Sequence, residues 1–254
     1  MKIKLSALFL LSLGGWSACG AESQAQRQAV ASEFSSVKMR QQSPAQTDTK
    51  PSADVIAFIE ANYGASSGNG KFSNENGVSR ICAFQSEKNE KVNYLALCTQ
   101  NQDSKQQIDL YVLSKDADDV VASETGIESR TPEVSLVELG AHELGFAIAD
   151  KTINQGFKIG VTSLYARKGE ELRKLAHFIN LLDNTAIADC AQHDGGCQNI
   201  RRHLIGAHGL VTRGTLTVIE QKSKDKVDVE HSYSLLFEAK TDTYKVPSEL
   251  QQSF

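Results

Sequence analysis

The most regular spacing of apolar and polar positions runs through "VDVEHSYSLLF". There Val227, Val229, His231, Tyr233, Leu235 and Phe237 share one side, and Asp228, Glu230, Ser232 and Ser234 share the other. Successive side chains of a strand point to opposite faces, so this alternation predicts a strand with one dry and one wet side. Phe157, Ile159, Val161, Ser163 and Tyr165 alternate in the same way. Shorter apolar runs occur at Ile108, Leu110 and Val112, from Val134 to Leu139 and from Leu144 to Ile148, while Leu210 to Ile219 is rich in Thr and β-branched residues. Turn-forming residues separate these runs at hairpin intervals, which predicts mostly antiparallel pairing.

Two segments carry the other period. In "PSADVIAFIEANYG" Ser52 is placed to cap a helix, Asp54 falls in its first turn, Gly64 can end it, and Val55, Ile56, Ile59 and Tyr63 make an apolar stripe. In "GEELRKLAHFINLLDN" two patterns compete: Leu172, Leu175, Ala176, Ile179 and Leu182 fit a helical face, whereas Leu175, His177, Ile179 and Leu181 fit strand alternation. The tight connection at Arg167, Lys168 and Gly169 favours a hairpin partner for the strand before it. The glycines of "GASSGNG" (Gly64, Gly68, Gly70) echo a phosphate loop, but that motif follows a strand and precedes a helix, and here the order is reversed, so a linker is expected. The expected fold is mainly β: one large antiparallel β domain over residues 52–254, a sandwich or open barrel, preceded by one short α-helix near 52–63.

The amino terminus has a different character. Lys2 and Lys4 precede an apolar segment from Leu5 to Leu13, and the small residues Gly14, Gly15, Ser17 and Ala18 follow, the three-part pattern of a secretory signal over residues 1–18. The apolar segment is well short of the roughly 20 residues a membrane span needs. Trp16, Ser17, Ala18 and Cys19 then resemble the lipobox of bacterial lipoproteins, with Trp16 where Leu is usual. The resemblance covers about the first twenty residues. It implies cleavage before Cys19, lipidation of its sulfur and anchoring to a membrane, and Gly20 in place of Asp implies the outer membrane, facing the periplasm or the surface. Cleavage after Ala18 or Ala21 by the general signal peptidase is the alternative. Residues 19–51 are rich in Ala, Gln and Ser and read as a tether; a flexible coil of about 30 residues reaches roughly 30 Å.

The chain has five cysteines, an odd number that asks for an explanation in an exported protein. Assigning Cys19 to lipid leaves four. Cys82 and Cys98 flank a polar segment and would meet if a hairpin turned near Asn89, and Cys190 and Cys197 bracket "AQHDGG", a segment that can close a small loop. Disulfides Cys82–Cys98 and Cys190–Cys197 are therefore expected.

Charge and motifs narrow the chemistry further. The formal charge is −4, more negative once Lys2 and Lys4 leave, and the densest basic cluster is "IRRH" at Ile200 to His203, so nucleic acid is not an expected partner. "AHELG" (Ala141 to Gly145) begins like H-E-x-x-H, but Phe146 stands where the second zinc ligand belongs, which leaves a turn between strands. Asp116, Asp118 and Asp119 open like a calcium loop, yet Val120 follows and no glycine turn does, so an acidic surface turn is expected. His231 is expected to sit in the core, hydrogen-bonded through one ring nitrogen. No P-loop and no S-x-x-K set of the penicillin-recognising kind is present, and no cofactor, metal or catalytic residue is assigned.

Three functional expectations follow. The first is an exported, lipid-anchored envelope protein acting as a binding or structural module. The second is a periplasmic hydrolase with a site near His177, Asp183 and His193. The third is a metal-binding lipoprotein using Cys190, His193, Cys197, His203 and His208, whose thiolates and imidazoles are the donors zinc prefers. Disulfide formation would consume two of those donors.

Overall fold

In a computed structural model of the chain, the residues described are 50–252 without 69, 76, 101–105, 193–195, 208–211 and 225–226. Cys19, the leader and the tether up to residue 49 lie outside them. Ser52 accepts the Val55 amide at 3.3 Å and caps α1 (Ala53–Tyr63), which buries Val55 and Ile59. Gly64 ends the helix at φ 91°, with its N–H on Glu60 O; a Cβ there would run into the Ser73 carbonyl, so the position requires glycine.

Strands follow almost without interruption. They are β1 (Ala65–Gly68), β2 (Lys71–Asn74), β3 (Gly77–Glu87), β4 (Val92–Gln100), β5 (Gln106–Ser114), β6 (Val120–Ser129) and β7 (Glu133–Gly140), then β8 (Glu143–Asn154), β9 (Phe157–Lys168), β10 (Glu171–Asp183), β11 (Asn199–Ile205), β12 (Leu216–Lys224), β13 (Val227–Glu238) and β14 (Thr243–Lys245). The fold is thus mainly β with one helix ahead of the strands. "GASSGNG" is not a linker, because Ala65–Gly68 pairs with Lys71–Ser73 as the edge of the sheet.

β1 to β6 form one antiparallel meander and β7 to β10 another. A single parallel pair, Ser123 with Glu171, joins β6 to β10. The far end of β10 pairs with β11 through Leu181–Arg201, Leu182–Ile200 and Asp183–Asn199, and β12, β13 and β14 follow in order. β7 lies beside β3, but no ladder joins them among the described residues, so the sheet curls without closing.

This topology makes successive cores. The curl of β3 to β10 encloses Tyr94, Cys98, Ile108, Leu110, Phe146, Tyr165 and Leu172. On the outer face of β4 and β5, α1 and Phe72 cover Leu95, Leu97 and Leu113. β4 is therefore dry on both faces, which is why Val92 to Thr99 is buried throughout and shows no alternation. The reverse side of β7 to β10 (Leu139, Ala147, Leu164, Phe178) packs on Leu216, Val218, Leu235 and Tyr244.

The segment with two competing patterns is strand β10, paired with β9 along its length. Extra residues at Leu175 and Asn180 shift the register, and each bulge moves the following side chains to the other face. Leu172 lies in the first core, within the curl, Leu175, Ala176 and Phe178 in the one behind β7 to β10, and Ile179 and Leu182 in a small fourth one with Ile200.

β13 follows its predicted alternation only in part. Tyr233, Leu235 and Phe237 turn inward, but Val229 is 43% exposed and His231 is exposed, with Nδ1 3.2 Å from Glu230 O. The expectation of a core histidine fails because the outer half of the β12–β13 hairpin runs past the layer beneath it.

Candidate functional site

His177 stands opposite Ser163 of β9, with Ser163 Oγ 3.0 Å from His177 Nδ1. Burial, and then the neighbouring Lys174 charge, holds the imidazole below its ordinary pKa. Lys174 also lies over the Tyr165 ring at 5.6 Å. Asp183 is on the same strand but roughly 20 Å further on at about 3.3 Å per residue. There it is buried and takes Lys158 Nζ at 3.0 Å and the Thr185 amide and hydroxyl at 3.0 and 2.6 Å. Burial pushes its carboxyl up, but Thr185 and Lys158 outweigh that and leave it below its usual range. The structure therefore does not unite His177 with Asp183, because extended backbone separates them and each has another partner. His193 lies outside the described residues.

The cysteines come together in two pairs. Cys82 and Cys98 lie with Cα atoms 5.9 Å apart and sulfurs at bonding distance. Cys82 is the extra residue of a bulge between the pairs Ile81–Leu97 and Ala83–Ala96, while Cys98 itself stands opposite Arg80. Cys190 and Cys197 lie with Cα atoms 4.9 Å apart across the loop that links β10 to β11. Their sulfurs face each other rather than a zinc position. His203 is exposed on β11, and His193 and His208 lie outside the described residues. Among the described residues no three His, Cys, Asp or Glu side chains converge as a metal site.

Both motif fragments form the expected turns. Ala141–His142 joins β7 to β8, with His142 at φ 61° and its Nδ1 2.7 Å from Asn89 Nδ2. In the Asp116–Asp119 turn the Ser114 hydroxyl bonds Asp118 and accepts the Asp119 amide.

One strongly charged depression was not legible in the sequence. It is an open cavity of about 510 Å³ where the β9–β10 turn, the β13–β14 turn and the segment before β12 meet, and Arg213 is its hub. Arg213 Nε donates to Glu143 at 3.0 and 3.3 Å, Nη1 to Asp242 at 2.5 Å and Nη2 to the Arg167 carbonyl at 2.6 Å, while the guanidinium lies 5.1 Å from the Phe237 ring. Lys168 completes the set on Asp242 at 2.9 Å. Burial raises the Glu143 pKa in spite of Arg213, and the Lys168 hydrogen bond lowers that of Asp242. Beneath them Tyr244 is pushed up to about 12 by burial. Glu143 lies in "AHELG" and Lys168 in the tight connection before β10, but nothing local in the sequence ties Glu143 to Arg213 or Asp242, 70 and 99 positions away.

A second polar knot is buried under the helix. Asp109, 3% exposed, accepts the Tyr63 hydroxyl at 2.8 Å, Gln107 Nε2 at 3.0 Å and the Gly126 amide at 2.7 Å, and Tyr63 and Tyr111 share a hydroxyl contact at 2.7 Å. The Tyr63 pKa is driven far above its ordinary value by burial and by these partners. This knot fixes α1 to β5 and to the irregular register of β6.

In chemical terms these arrangements hold and orient. The carboxylates of Asp109, Asp183, Glu143 and Asp242 are each engaged by fixed donors, and among the described residues Ser163 with His177 forms a pair without a third group hydrogen-bonded to the imidazole. Compared with known proteins, the chain matches no family model, no curated protein and no solved structure.

Proposed function

We propose that this chain is an exported, lipid-anchored protein of the bacterial cell envelope whose β domain serves as a binding or structural module. The observation that carries the reading is the pairing of the cysteines. Cys82 with Cys98 and Cys190 with Cys197 stand at disulfide distance, which leaves Cys19 as the one cysteine of the five without a protein partner to expect. Two such pairs suit an oxidising compartment, and the residues before Cys19 suit export to one. Lipid at Cys19 would hold the domain at the membrane, each buried methylene adding about 0.8 kcal/mol. Gly20 favours the outer membrane by resemblance. Carboxylates held by fixed donors favour binding over catalysis, with the Arg213 depression and the outer half of the β12–β13 hairpin as the surfaces offered.

The test is mass spectrometry of the native amino terminus together with membrane fractionation. The expected terminus is a diacylglyceryl-modified Cys19, and Cys19→Ala is expected to move the protein from the membrane to the soluble fraction. A native chain that begins at Met1, or at Glu22 after cleavage behind Ala21, would overturn the reading.

A further inference from the structure

The β3–β4 turn and the β5–β6 turn lie at the same end of the sheet, because Glu87 pairs with Val92 and Val92 with Ser114. Between them is a cavity of about 380 Å³ lined by Ser86, Glu87, Lys88, Lys91, Val92, Asn93 and Lys115. Its floor is fixed by one amide. Asn93, 3% exposed, donates from Nδ2 to the Ser114 and Lys115 carbonyls at 2.9 Å each, and its Oδ1 accepts the Ser86 hydroxyl. The Lys115 backbone is thereby held against β4, and its side chain shares one opening with those of Lys88 and Lys91. The charge of this lining is one-sided. Three lysines stand against a single acid, Glu87, whose carboxylate already accepts the Asn89 amide at 3.0 Å and lies 3.8 Å from His142 Nδ1. Among the described residues the Lys91 and Lys115 ammonium groups make no ion pair. Glu90, Asp116, Asp118 and Asp119 belong to the same two turns but do not line the cavity, and Asp118 takes the Ser114 hydroxyl.

We infer that this cavity binds the phosphate group of a small molecule. Like charges held around one opening repel each other, and an anion between them relieves that repulsion. Ammonium groups act as point charges that suit a tetrahedral dianion with several acceptor oxygens, whereas the fork of an arginine matches a planar carboxylate; the described lining holds lysines. The volume lies within the roughly 300–1,000 Å³ of small-molecule sites. Buried Val92 offers an apolar wall to the organic part of the ligand. The flanking acids decide the size of the partner. A flat anionic bilayer or a long polyanion laid across these turns would also meet Glu90, Asp116 and Asp119, while a single phosphate inside the opening meets the lysines. The site does not depend on Cys19 carrying lipid.

The test is calorimetric titration of the purified full chain at constant ionic strength with inorganic phosphate and with glycerol phosphate, beside co-sedimentation with phosphatidylglycerol vesicles. A Kd of about 1 mM or below is expected for the soluble phosphates. Lys91→Gln or Lys115→Gln should weaken it about three- to fivefold, the worth of one exposed charge pair, and the two together by about tenfold or more. Lys245→Gln, at an exposed position on β14, should leave it unchanged. Lys91 and Lys115 are exposed, so their variants keep the core intact, which an unchanged thermal transition checks. No heat of binding up to about 10 mM, tenfold above that Kd, would overturn the inference. So would a titration that the double variant leaves unchanged, since the anion would then sit elsewhere. Binding to the vesicles without binding of either soluble phosphate would replace the small molecule by a lipid headgroup and overturn the inference as stated.

Discussion

Arg202 shows how position decides what a charge does. It belongs to "IRRH", the densest basic cluster of the chain, yet its side chain is 4% exposed. Nε donates to Glu220 at 2.7 Å, Nη1 to the Ile179 carbonyl at 2.8 Å and Nη2 to the Glu249 carbonyl at 3.0 Å. One guanidinium thus ties β10, β11, β12 and the turn near the carboxyl end, and the cluster loses a charge it could have offered to a polyanion. Arg202→Ala would strand the Glu220 carboxylate in a dry site, so a loss of about 3–5 kcal/mol is expected in urea unfolding. Replacing both partners, Arg202→Met with Glu220→Leu, should recover most of it, because the charge left unpaired disappears with its partner. The exposed pair Lys151–Glu133 is the control; Lys151→Ala should change stability by less than about 1 kcal/mol. If Arg202→Ala cost no more than Lys151→Ala, the buried pair would not be the tie described.

At the scale of elements, alternation in the sequence marks a strand even where both of its faces are covered. β5 alternates at Ile108, Leu110 and Val112 and β9 from Phe157 to Tyr165, although Asp109 and Leu113 of β5 and Leu164 of β9 are buried on the opposite face; β4 is hidden on both sides and gives an apolar run without a period. β10 is the informative failure. Its two bulges place buried residues at Leu172, Leu175, Ala176, Ile179 and Leu182, which is helical spacing produced by an interrupted strand. Periodicity alone does not separate the two, and the hairpin connection at Gly169 was the better guide. The Asn180 bulge also has a measurable contact. Gly160 of β9 lies under it, and a Cβ at that position would collide with Asn180 Oδ1 and come 2.8 Å from Leu181 Cβ. Asn180 Oδ1 is itself buried without a hydrogen-bond partner among the described residues. Gly160→Ala should therefore destabilise by about 1–3 kcal/mol through overpacking. Asn180→Ala in the same chain should return part of that loss, since it removes the nearer obstacle but leaves Leu181. A Gly160→Ala protein with unchanged thermal stability would mean that the bulge does not sit over Gly160.

Across the whole molecule, the cores depend on one another because strands β7 to β10 are shared: Phe146 and Tyr165 fill one side of that layer, Leu164 and Phe178 the other. Such sharing is set by how layers stack, which local periodicity does not encode, and for the same reason the Arg213 cluster was not legible although each of its residues was in plain view. Shared layers should melt together, and the two cysteine pairs bear on that melting in different ways. Cys98 is buried in the first core and Cys190–Cys197 closes the loop between β10 and β11, and in the chain-entropy account each stabilises by restricting the unfolded chain. With sequence separations of 16 and 7, loop entropy assigns them about 3 and about 2.5 kcal/mol. For a domain of this size 1 kcal/mol moves Tm by about 2–4 °C, so full reduction should lower Tm by roughly 10–20 °C. Cys190→Ser with Cys197→Ser should account for a little under half of that shift and keep one cooperative transition, because no shared strand is touched. The measurement is calorimetry with and without reductant, the thiols counted in parallel. A split transition after loss of the Cys190–Cys197 pair alone would show that β11 to β14 fold apart from β7 to β10, and the common layer would then not couple the cores.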